Sequence, residues 1–261
     1  MPVLVGTSGW QYASWRERFY PRGVAQAKWL EFYAERFATV EVNNAFYRLP
    51  EAQTFTKWAQ RTPADFVVGV KASRYLTHIK RLRAPAEPVA RFMQRARNLG
   101  PKLGPILLQL PPTMPQSLDD LDETLTLFGT QVRVAVEFRH ASWWADETYD
   151  VLRRHGAALV LADRESEPIA PLERTADWGY VRFHSGDARP YPCYSRRALA
   201  MWVARLAELW TPAETVYAYF NNDPEGCAIR DAVVFAAEVS RHGGSPTRVP
   251  DPATVRVGVL R

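Results

Sequence analysis

Cysteine is scarce in this sequence, and the two that occur stand far apart. Cys193 and Cys227 form no CxxC pair, the spacing found in redox and zinc motifs. Small proteins that depend on disulfides carry several cysteines in a short chain. The sequence therefore predicts no disulfide framework.

Long apolar runs are absent as well. No stretch approaches the roughly 20 residues that a membrane-spanning helix needs. A strand-like run begins within three residues of the N-terminus, and no secretion signal is visible ahead of it. We therefore expect a soluble protein located in the cytoplasm, with no membrane partner.

Neither sign of charge dominates strongly. The chain has 33 lysine and arginine residues against 28 aspartate and glutamate residues, a formal net charge of +5 at pH 7. This mild positive excess favours an anionic partner, either a phosphate-bearing small molecule or nucleic acid. The sequence leaves the oligomeric state open.

Short apolar runs of β type recur along the chain. Most of them are nearly continuous, which is typical of strands in a parallel sheet that is covered on both faces. The eight runs lie at residues 3–8, 39–44, 66–72, 105–110, 132–138, 158–163, 180–185 and 216–221.

Helical stripes of apolar residues separate most of these runs. The alternation predicts an α/β fold, a single-domain (β/α)8 TIM-type barrel over residues 1–242. An open doubly wound sheet is the alternative, which is weakened because the chain has no G-x-G-x-x-G turn. The proline-broken segment 164–179 predicts an irregular connection without a clear helix. The turn-rich tail, residues 243–261, is expected to pack loosely.

Polar residues gather at the C-terminal ends of the predicted strands, where TIM barrels carry their chemistry. Glu137 and Arg139 are two residues apart in one strand, and Arg182 and His184 are two apart in another. Because side chains two apart in a strand share a face, both pairs should point into the barrel mouth. The predicted mouth set is Glu41, Asn43, Lys71, His78, Gln109, Glu137, Arg139, Asp163, Arg182, His184 and Asn221.

Two interpretations of these polar residues compete. Buried charges are costly unless paired, so the set could be a structural ion-pair network that closes the barrel. Apolar residues could make such a plug at lower cost, which favours a functional site. Glu137, Asp163 and His184 could also ligate a single divalent metal ion, although five histidines are too few for a multi-zinc site.

The loops after the last two strands form a separate candidate for anion binding. They contain Gly186, Arg189, Asn222 and Gly226, residue types that phosphate sites of TIM barrels use at this position. A serine or cysteine nucleophile beside His184 is not supported by any spacing.

Aromatic residues are concentrated directly after the first strand, in the segment GTSGWQYASWRERFYP. Trp15, Phe19 and Tyr20 have helical spacing and are expected to pack as a cover. Trp10 and Tyr12 lie nearer the strand end, and we expect them to form a stacking wall for a base or a sugar ring. The wall would be extended after the second strand by Phe46, Tyr47 and Arg48.

Eight ordered segments of the chain resemble the domain of unknown function 72 family, the YecE-like proteins. The segments are VGTSGWQYASWRERFYP, EVNNAFYRLP, VGVKASRYLTHIKRL, LGPILLQLPP, VEFRHASWW, ADRE, VRFHSG and YAYFNND, and the resemblance runs from Val5 to about Ala232. It implies a TIM-type barrel similar to those of apurinic-site zinc endonucleases and sugar isomerases and, by that analogy, nucleic-acid binding. The sequence departs from those metal enzymes because it lacks their supply of histidine ligands. The matching positions are Trp10, Tyr12, Trp15, Glu41, Asn43, Phe46, Tyr47, Arg48, Lys71, His78, Gln109, Glu137, Arg139, Trp143, Asp163, Arg182, His184, Asn221 and Asn222.

These observations predict an enzyme, a phosphoester hydrolase whose substrate is a nucleotide or resembles nucleic acid. Glu137 or Asp163 would serve as general base or acid, and His184 would carry the proton. The anionic part of the substrate would be held by Lys71, Arg139 and Arg182.

Two alternatives remain from the residues alone. A sugar-processing enzyme would use Glu41 and Glu137 as a carboxylate pair. A non-catalytic nucleic-acid-binding protein would use a basic surface around the aromatic mouth. That surface would comprise Arg16, Arg18, Lys80, Arg81, Arg83, Arg153 and Arg154.

Overall fold

The computed structural model describes residues 1–257, and eight parallel strands in it form a closed barrel. Each strand pairs with the next, and the last pairs with the first to close the ring. The prediction of a TIM-type barrel is confirmed. The barrel strands are β1 (Pro2–Ser8), β2 (Thr39–Val42), β3 (Val67–Lys71), β4 (Leu103–Gln109), β5 (Val134–Glu137), β6 (Ala158–Arg164), β8 (Gly179–Phe183) and β9 (Val216–Phe220).

The α-helices cover the outside of the barrel and pack apolar faces against it. In α4 (Ala86–Ala96), for example, Val89, Phe92 and Met93 are buried, as their helical spacing predicts. The α-helices are α1 (Trp29–Arg36), α2 (Asn44–Tyr47), α3 (Ala52–Gln60), α4 (Ala86–Ala96), α5 (Leu118–Phe128), α6 (Asp146–Arg154), α7 (Arg196–Leu209) and α8 (Cys227–Arg241).

The connection from β6 to β8 departs from the strand–helix alternation. A short strand, β7 (Glu167–Pro168), folds back antiparallel onto the end of β6. Within the described residues no helix follows before β8 begins. The irregular connection predicted from the proline-broken segment is confirmed, because proline removes the backbone donors that a helix there would need.

The interior of the barrel is packed with small and aromatic side chains. Ala135 and Ala158 face inward, and they leave room for the rings of Tyr180 and Tyr219. Gly69 leaves space for the ring of Tyr219, because a Cβ atom at Gly69 would lie 3.1 Å from the tyrosine hydroxyl, closer than an ordinary contact. The inward side chains therefore make a filled core rather than a channel.

The two ends of the barrel differ in character. At the N-terminal end, the Arg133 guanidinium lies 5.4 Å from the ring centre of Trp178 and donates to the hydroxyl of Tyr217 at 3.1 Å. Aromatic rings thus close this end. The polar side chains collect at the C-terminal end, which is the barrel mouth.

The segment after α8 contacts the barrel. A two-residue strand, β10 (Ser245–Pro246), pairs parallel to β1, and Val5 N donates to Thr247 Oγ1 at 3.1 Å. Arg248 donates to the carbonyl of Ala34 in α1 at 2.9 Å. The tail that we expected to pack loosely is therefore attached at residues 245–248, and its last four residues lie outside the described residues.

A disulfide joins Cys193, in the loop after β8, to Cys227 at the start of α8. Their Cα atoms lie 4.9 Å apart although 34 positions separate them in the chain. The sequence analysis, which predicts no disulfide framework, did not anticipate this single bond. Distance along the sequence carries no information about which loop and helix end the barrel brings together.

No helix among residues 1–257 combines the length and apolar character that crossing a membrane requires.

Candidate functional site

Arg182 lies at the centre of the barrel mouth, on β8. Its Nη1 donates to Glu137 Oε2 and its Nη2 donates to Glu41 Oε1, both at 2.7 Å. All three side chains are at most 1% exposed. Burial alone would lower the pKa of Arg182, but Glu41 and Glu137 raise it above its ordinary value. The guanidinium therefore stays charged and ties two carboxylates together.

Glu41, on β2, is fully occupied by hydrogen bonds. Its Oε1 also accepts from Ser8 Oγ at 2.7 Å, and its Oε2 accepts from the hydroxyl of Tyr180 at 2.6 Å. Burial would raise the pKa of Glu41, but Arg182 and these hydroxyls hold it below its ordinary value. Glu41 is therefore ionised at neutral pH and anchors the network.

Glu137, at the end of β5, likewise has both carboxylate oxygens hydrogen-bonded. Its Oε1 accepts from Arg139 Nε at 2.7 Å and lies 3.0 Å from His184 Nε2. Its Oε2 accepts from Arg182 and, at 3.0 Å, from Gln109 Nε2. Burial would raise the pKa of Glu137, but Arg182, His184 and Arg139 hold it well below the ordinary value. Such a carboxylate carries no proton to donate at neutral pH and is a weak base.

His184 connects Glu137 to the last strand end. Its Nε2 lies 3.0 Å from Glu137 Oε1 and 3.0 Å from Arg139 Nη2, while Asn221 Nδ2 lies 3.2 Å from its Nδ1. Nε2 donates to Glu137 in the tautomer that carries the proton there and accepts from Arg139 Nη2 in the other tautomer. Burial lowers the pKa of His184, and Glu137 opposes this only in part. The imidazole is therefore neutral at pH 7.

Lys71 is the last residue of β3, which lies across the barrel from β8. Its Nζ donates to Gln109 Oε1 at 2.7 Å and lies 4.1 Å from the ring centre of Phe46. Burial lowers the pKa of Lys71 to about 8, and the positive charge of Arg182 adds to this effect. His78 packs edge-on against Phe46, and burial together with Lys71 lowers the pKa of His78 to about 4. The imidazole of His78 is thus uncharged.

Asp163 does not belong to the mouth, so its prediction as a mouth residue is wrong. Its Oδ1 accepts from the hydroxyl of Tyr194 at 2.5 Å and its Oδ2 accepts from Trp202 Nε1 of α7 at 2.6 Å. The inward face of β6 carries Val160 and Ala162, so Asp163 points outward to the helices. The alternation of β6 already contained this information.

The suggested metal ligands consequently do not converge. Asp163 lies on the outer face of the barrel wall, whereas Glu137 and His184 lie inside the mouth. Over the described part of the chain, no three histidine, cysteine, aspartate or glutamate side chains are placed to hold a metal ion together.

Asn222 also points away from the mouth. Its Nδ2 donates to the carbonyl of Pro192 at 2.8 Å and to Asp231 Oδ2 at 2.7 Å, and the residue is buried. Its neighbour Asn221 faces inward, because adjacent positions at a strand end point to opposite sides. Asn222 therefore fixes the loop after β8 and is not placed for ligand contact.

The loops after β8 and β9 do not assemble the predicted anion site. Arg189 is exposed and bonds to its own loop and to Glu165. A Cβ atom at Gly186 would lie 2.2 Å from a neighbouring carbonyl oxygen, and one at Gly226 would lie 2.9 Å from another. Both glycines are thus covered by backbone, so neither offers an open surface to an anion.

The cover predicted for the first loop is confirmed. Trp15, Phe19 and Tyr20 are at most 4% exposed. The ring of Tyr20 stacks on that of Trp29 in α1, with centres 4.3 Å apart. These rings fix the loop to the outside of the barrel.

Trp10 and Tyr12 line a cavity of about 80 Å³ at the end of β1. The ring of Trp10 packs edge-on against Trp58 of α3, with centres 5.6 Å apart, and is 4% exposed. The hydroxyl of Tyr12 donates to the carbonyl of Ser8 at 2.5 Å. Packing therefore occupies most of the Trp10 ring, while Tyr12 is only partly buried.

Tyr47 and Arg48 lie outside the mouth. Tyr47 is 82% exposed, and Arg48 is exposed beside it. Tyr47 lines a groove of about 200 Å³ that also contains Tyr75 and Arg91. The guanidinium of Arg91 lies 5.5 Å from the ring centre of Tyr75. This groove is a surface feature next to the mouth, with aromatic and basic side chains.

Sequence reasoning missed three residues of the mouth. Ser8 lies in register with Glu41 across the β1–β2 pair, and Tyr180 is two residues before Arg182, so alternation could have found both. Asp223 follows Asn221 by two residues, but it lies in a loop, where alternation no longer applies.

A family model described as "Protein of unknown function DUF72" matches residues 4–254. The chain belongs to the DUF72 family. The resemblance found in the eight sequence segments is thereby confirmed. Among curated relatives, UPF0759 protein YecE of Escherichia coli (strain K12) is 26% identical over 244 residues, covering 84% of this chain and 86% of that protein. UPF0759 protein YunF of Bacillus subtilis (strain 168) is 25% identical over 259 residues, covering 87% of this chain and 90% of that protein.

Solved structures of DUF72 proteins share the fold. A DUF72 family protein from Thermotoga maritima MSB8 superposes with a TM-score of 0.80 at 28% identity, covering 92% of this chain and all of that one. A second, from Enterococcus faecalis V583, gives a TM-score of 0.76 at 17% identity, covering 91% of this chain and 95% of that one. The description of the family assigns it no function.

Proposed function

We propose that the barrel mouth binds a phosphate-bearing substrate and hydrolyses its phosphoester. The observation that carries this proposal is that two cations of the mouth keep donors for a ligand: Lys71 makes one side-chain hydrogen bond among the described residues, and the side chain of Arg139 is 18% exposed. Cationic donors in a partly enclosed mouth favour an anion.

Lys71 and Arg139 are the residues that would hold the anion. Lys71 makes one side-chain hydrogen bond within residues 1–257, to Gln109, so its ammonium has further N–H donors for a ligand. The side chain of Arg139 is 18% exposed, against 1% for Arg182. The terminal nitrogens of Arg182 donate to Glu137 and Glu41, so Arg182 positions these two carboxylates.

His184 is the group that we assign to proton transfer. It is neutral, lies at the mouth and touches Arg139, so it would be next to the bound phosphate. Glu137 takes a positioning role, because its four hydrogen bonds orient Arg139 and His184. Asp163 has no role in this proposal, since it lies between β6 and α7.

The test is hydrolysis of p-nitrophenyl phosphate and bis(p-nitrophenyl) phosphate by the purified protein. We expect turnover that falls by at least about tenfold in Lys71→Met and in His184→Asn. Lys57→Met, at an exposed position of α3, is the matched control and should leave turnover unchanged. Absence of turnover together with absence of phosphate binding would refute the proposal.

The carboxylate-pair alternative has less support. Glu41 and Glu137 are bridged by Arg182, and both pKa values lie below the ordinary one. A glycosidase needs one carboxyl group that stays protonated at working pH, and neither residue fits that requirement.

Nucleic-acid binding is the second candidate, and the groove beside the mouth favours it. Exposed Tyr47 and half-exposed Tyr75 offer stacking surfaces, and Arg91 and Lys80 lie over the Tyr75 ring. The predicted basic residues Arg153 and Arg154 are engaged instead in ion pairs on and around α6. Binding of labelled single-stranded oligonucleotides across a salt series tests this candidate. Weak binding with little salt dependence would count against it.

A further inference from the structure

Asp223 is a carboxylate at the mouth that the assignments above leave unused. It lies three residues after the end of β9, and its carbonyl accepts from Trp15 Nε1 at 2.9 Å, which fixes the backbone. Its Oδ1 is buried and has no hydrogen-bond partner among the described residues. A buried acceptor without a donor is costly, so a donor from outside the chain would be favourable here.

The neighbouring phenol supplies that donor only by giving up another bond. The hydroxyl of Tyr12 lies within hydrogen-bonding reach of the Asp223 carboxylate, but its single proton is donated to the carbonyl of Ser8 at 2.5 Å. The carboxylate of Asp223 next to this phenol raises the pKa of Tyr12 further, after burial has raised it already. Tyr12 thus stays protonated and keeps its bond to Ser8, while Asp223 Oδ1 remains available.

A second acceptor in the same corner is also unsatisfied. Asn43 Oδ1 is buried without a partner in the part of the chain that the structure describes. Asn43 lines the cavity of about 80 Å³ together with Ser8, Trp10 and Tyr12. Asn43 directly follows β2, Asp223 follows β9, and β1 pairs with both of these strands. The two acceptors therefore flank the end of one strand.

Asp223 differs from the other carboxylates of the mouth in the direction of its pKa shift and in its hydrogen bonds. Burial raises the pKa of Asp223 to about 6, although Tyr12 and Arg182 oppose the rise. Glu41 and Glu137, by contrast, are held ionised and hydrogen-bonded on both oxygens. At pH 7 to 8, Asp223 is an ionised acceptor whose Oδ1 has no hydrogen-bond partner among the described residues.

We propose that Asn43 and Asp223 form a subsite for the hydroxyl groups of the substrate, which is therefore a phosphorylated sugar or polyol. Hydroxyl groups donate to both acceptors while the phosphate lies on Lys71 and Arg139. The positions are compatible, because β3, which carries Lys71, neighbours β2 in the ring. This inference rests on the proposed anion site and adds the class of substrate that occupies it.

The experiment compares two probes, inorganic phosphate and ribose 5-phosphate, by isothermal titration calorimetry at pH 7.5. We expect ribose 5-phosphate to bind at least about tenfold more tightly than phosphate. Asp223→Ala and Asn43→Ala should each remove most of that advantage and leave phosphate affinity within about twofold. Asp177→Ala is the matched control, since Asp177 is exposed in the loop before β8, at the opposite end of the barrel.

Each result decides the proposal. If phosphate binds through Lys71 but ribose 5-phosphate binds no better, the hydroxyl subsite is refuted and the anion site stands. If the advantage exists but survives in both Asp223→Ala and Asn43→Ala, the subsite is again refuted. If neither probe binds, the anion site and the subsite fall together. Thermal unfolding of each variant confirms that it is folded before its affinity is compared.

Discussion

Arg182 and Glu41 are joined inside the barrel by a buried ion pair in which Nη2 donates to Oε1 at 2.7 Å. The same guanidinium donates to Glu137, so one cation neutralises two carboxylates that have almost no contact with water. Removing the cation leaves both carboxylates buried without their main partner. The stability of the mouth therefore depends on Arg182.

Arg182→Met should lower the free energy of unfolding by about 3–5 kcal/mol, because it strands two buried charges. Urea denaturation at pH 7.5 measures the loss. Arg153→Met, which breaks an exposed ion pair of α6, is the control and should cost less than about 1 kcal/mol. If Arg182→Met lowered the free energy of unfolding no more than the control does, the stabilising role of this ion-pair network would be refuted.

Asp163 should make stability depend on pH in the acidic range. Burial raises its pKa in the folded protein to about 6, above the ordinary 3.8, so the folded state holds the proton more tightly than the unfolded chain. The stabilisation of the folded state by the proton on Asp163 is fully present below about pH 4 and is lost as the pH rises through about 6. Between pH 4 and 7.5 the protein should lose about 1–2 kcal/mol relative to Asp163→Asn, which has no such titration. Parallel pH profiles of the two proteins would rule out this assignment.

Anion binding at the mouth should weaken in mildly alkaline solution. Burial and Arg182 lower the pKa of Lys71 to about 8, so its charge is lost as the pH rises through 8 rather than through 10.5. Sulfate is a suitable probe, because it does not titrate in this range. We expect its affinity to fall about tenfold or more between pH 7 and 9. In Lys71→Met, affinity should be low at pH 7 and nearly independent of pH. If the affinity of the variant depended on pH as that of the native protein does, Lys71 would not be the group that causes the pH dependence.

The disulfide between Cys193 and Cys227 should stabilise the loop after β8 against α8. Closing a loop of 34 residues contributes about 3–4 kcal/mol in the chain-entropy model. Cys193→Ala should therefore lower the free energy of unfolding by that amount under oxidising conditions. Under strong reductant the native protein should approach the stability of the variant. Digestion without reductant followed by mass spectrometry should detect the linked peptides, and their absence would refute the bond.

Periodicity in the sequence was enough to predict the architecture. Each of the eight apolar runs became a barrel strand, since strands of a parallel sheet that is covered on both faces typically have nearly continuous apolar sequences. The two-residue spacing within each pair predicted that four side chains point into the mouth, where they contact one another. These residues are Glu137, Arg139, Arg182 and His184. The apolar runs and the spacing within each strand are local properties, so they can be read from the sequence without knowledge of tertiary contacts.

Tertiary structure decided what each polar group is bonded to. A carboxylate such as Glu137 is a common general base, but four hydrogen bonds, from Arg139 at its own strand end and from side chains at the ends of β4 and β8, hold it as a fixed anion. The pairing of Cys193 with Cys227 and the unsatisfied oxygen of Asp223 arise from contacts between distant loops. Proton affinity depends on burial and on neighbours across the barrel, and those distances are set only when the ring of strands closes.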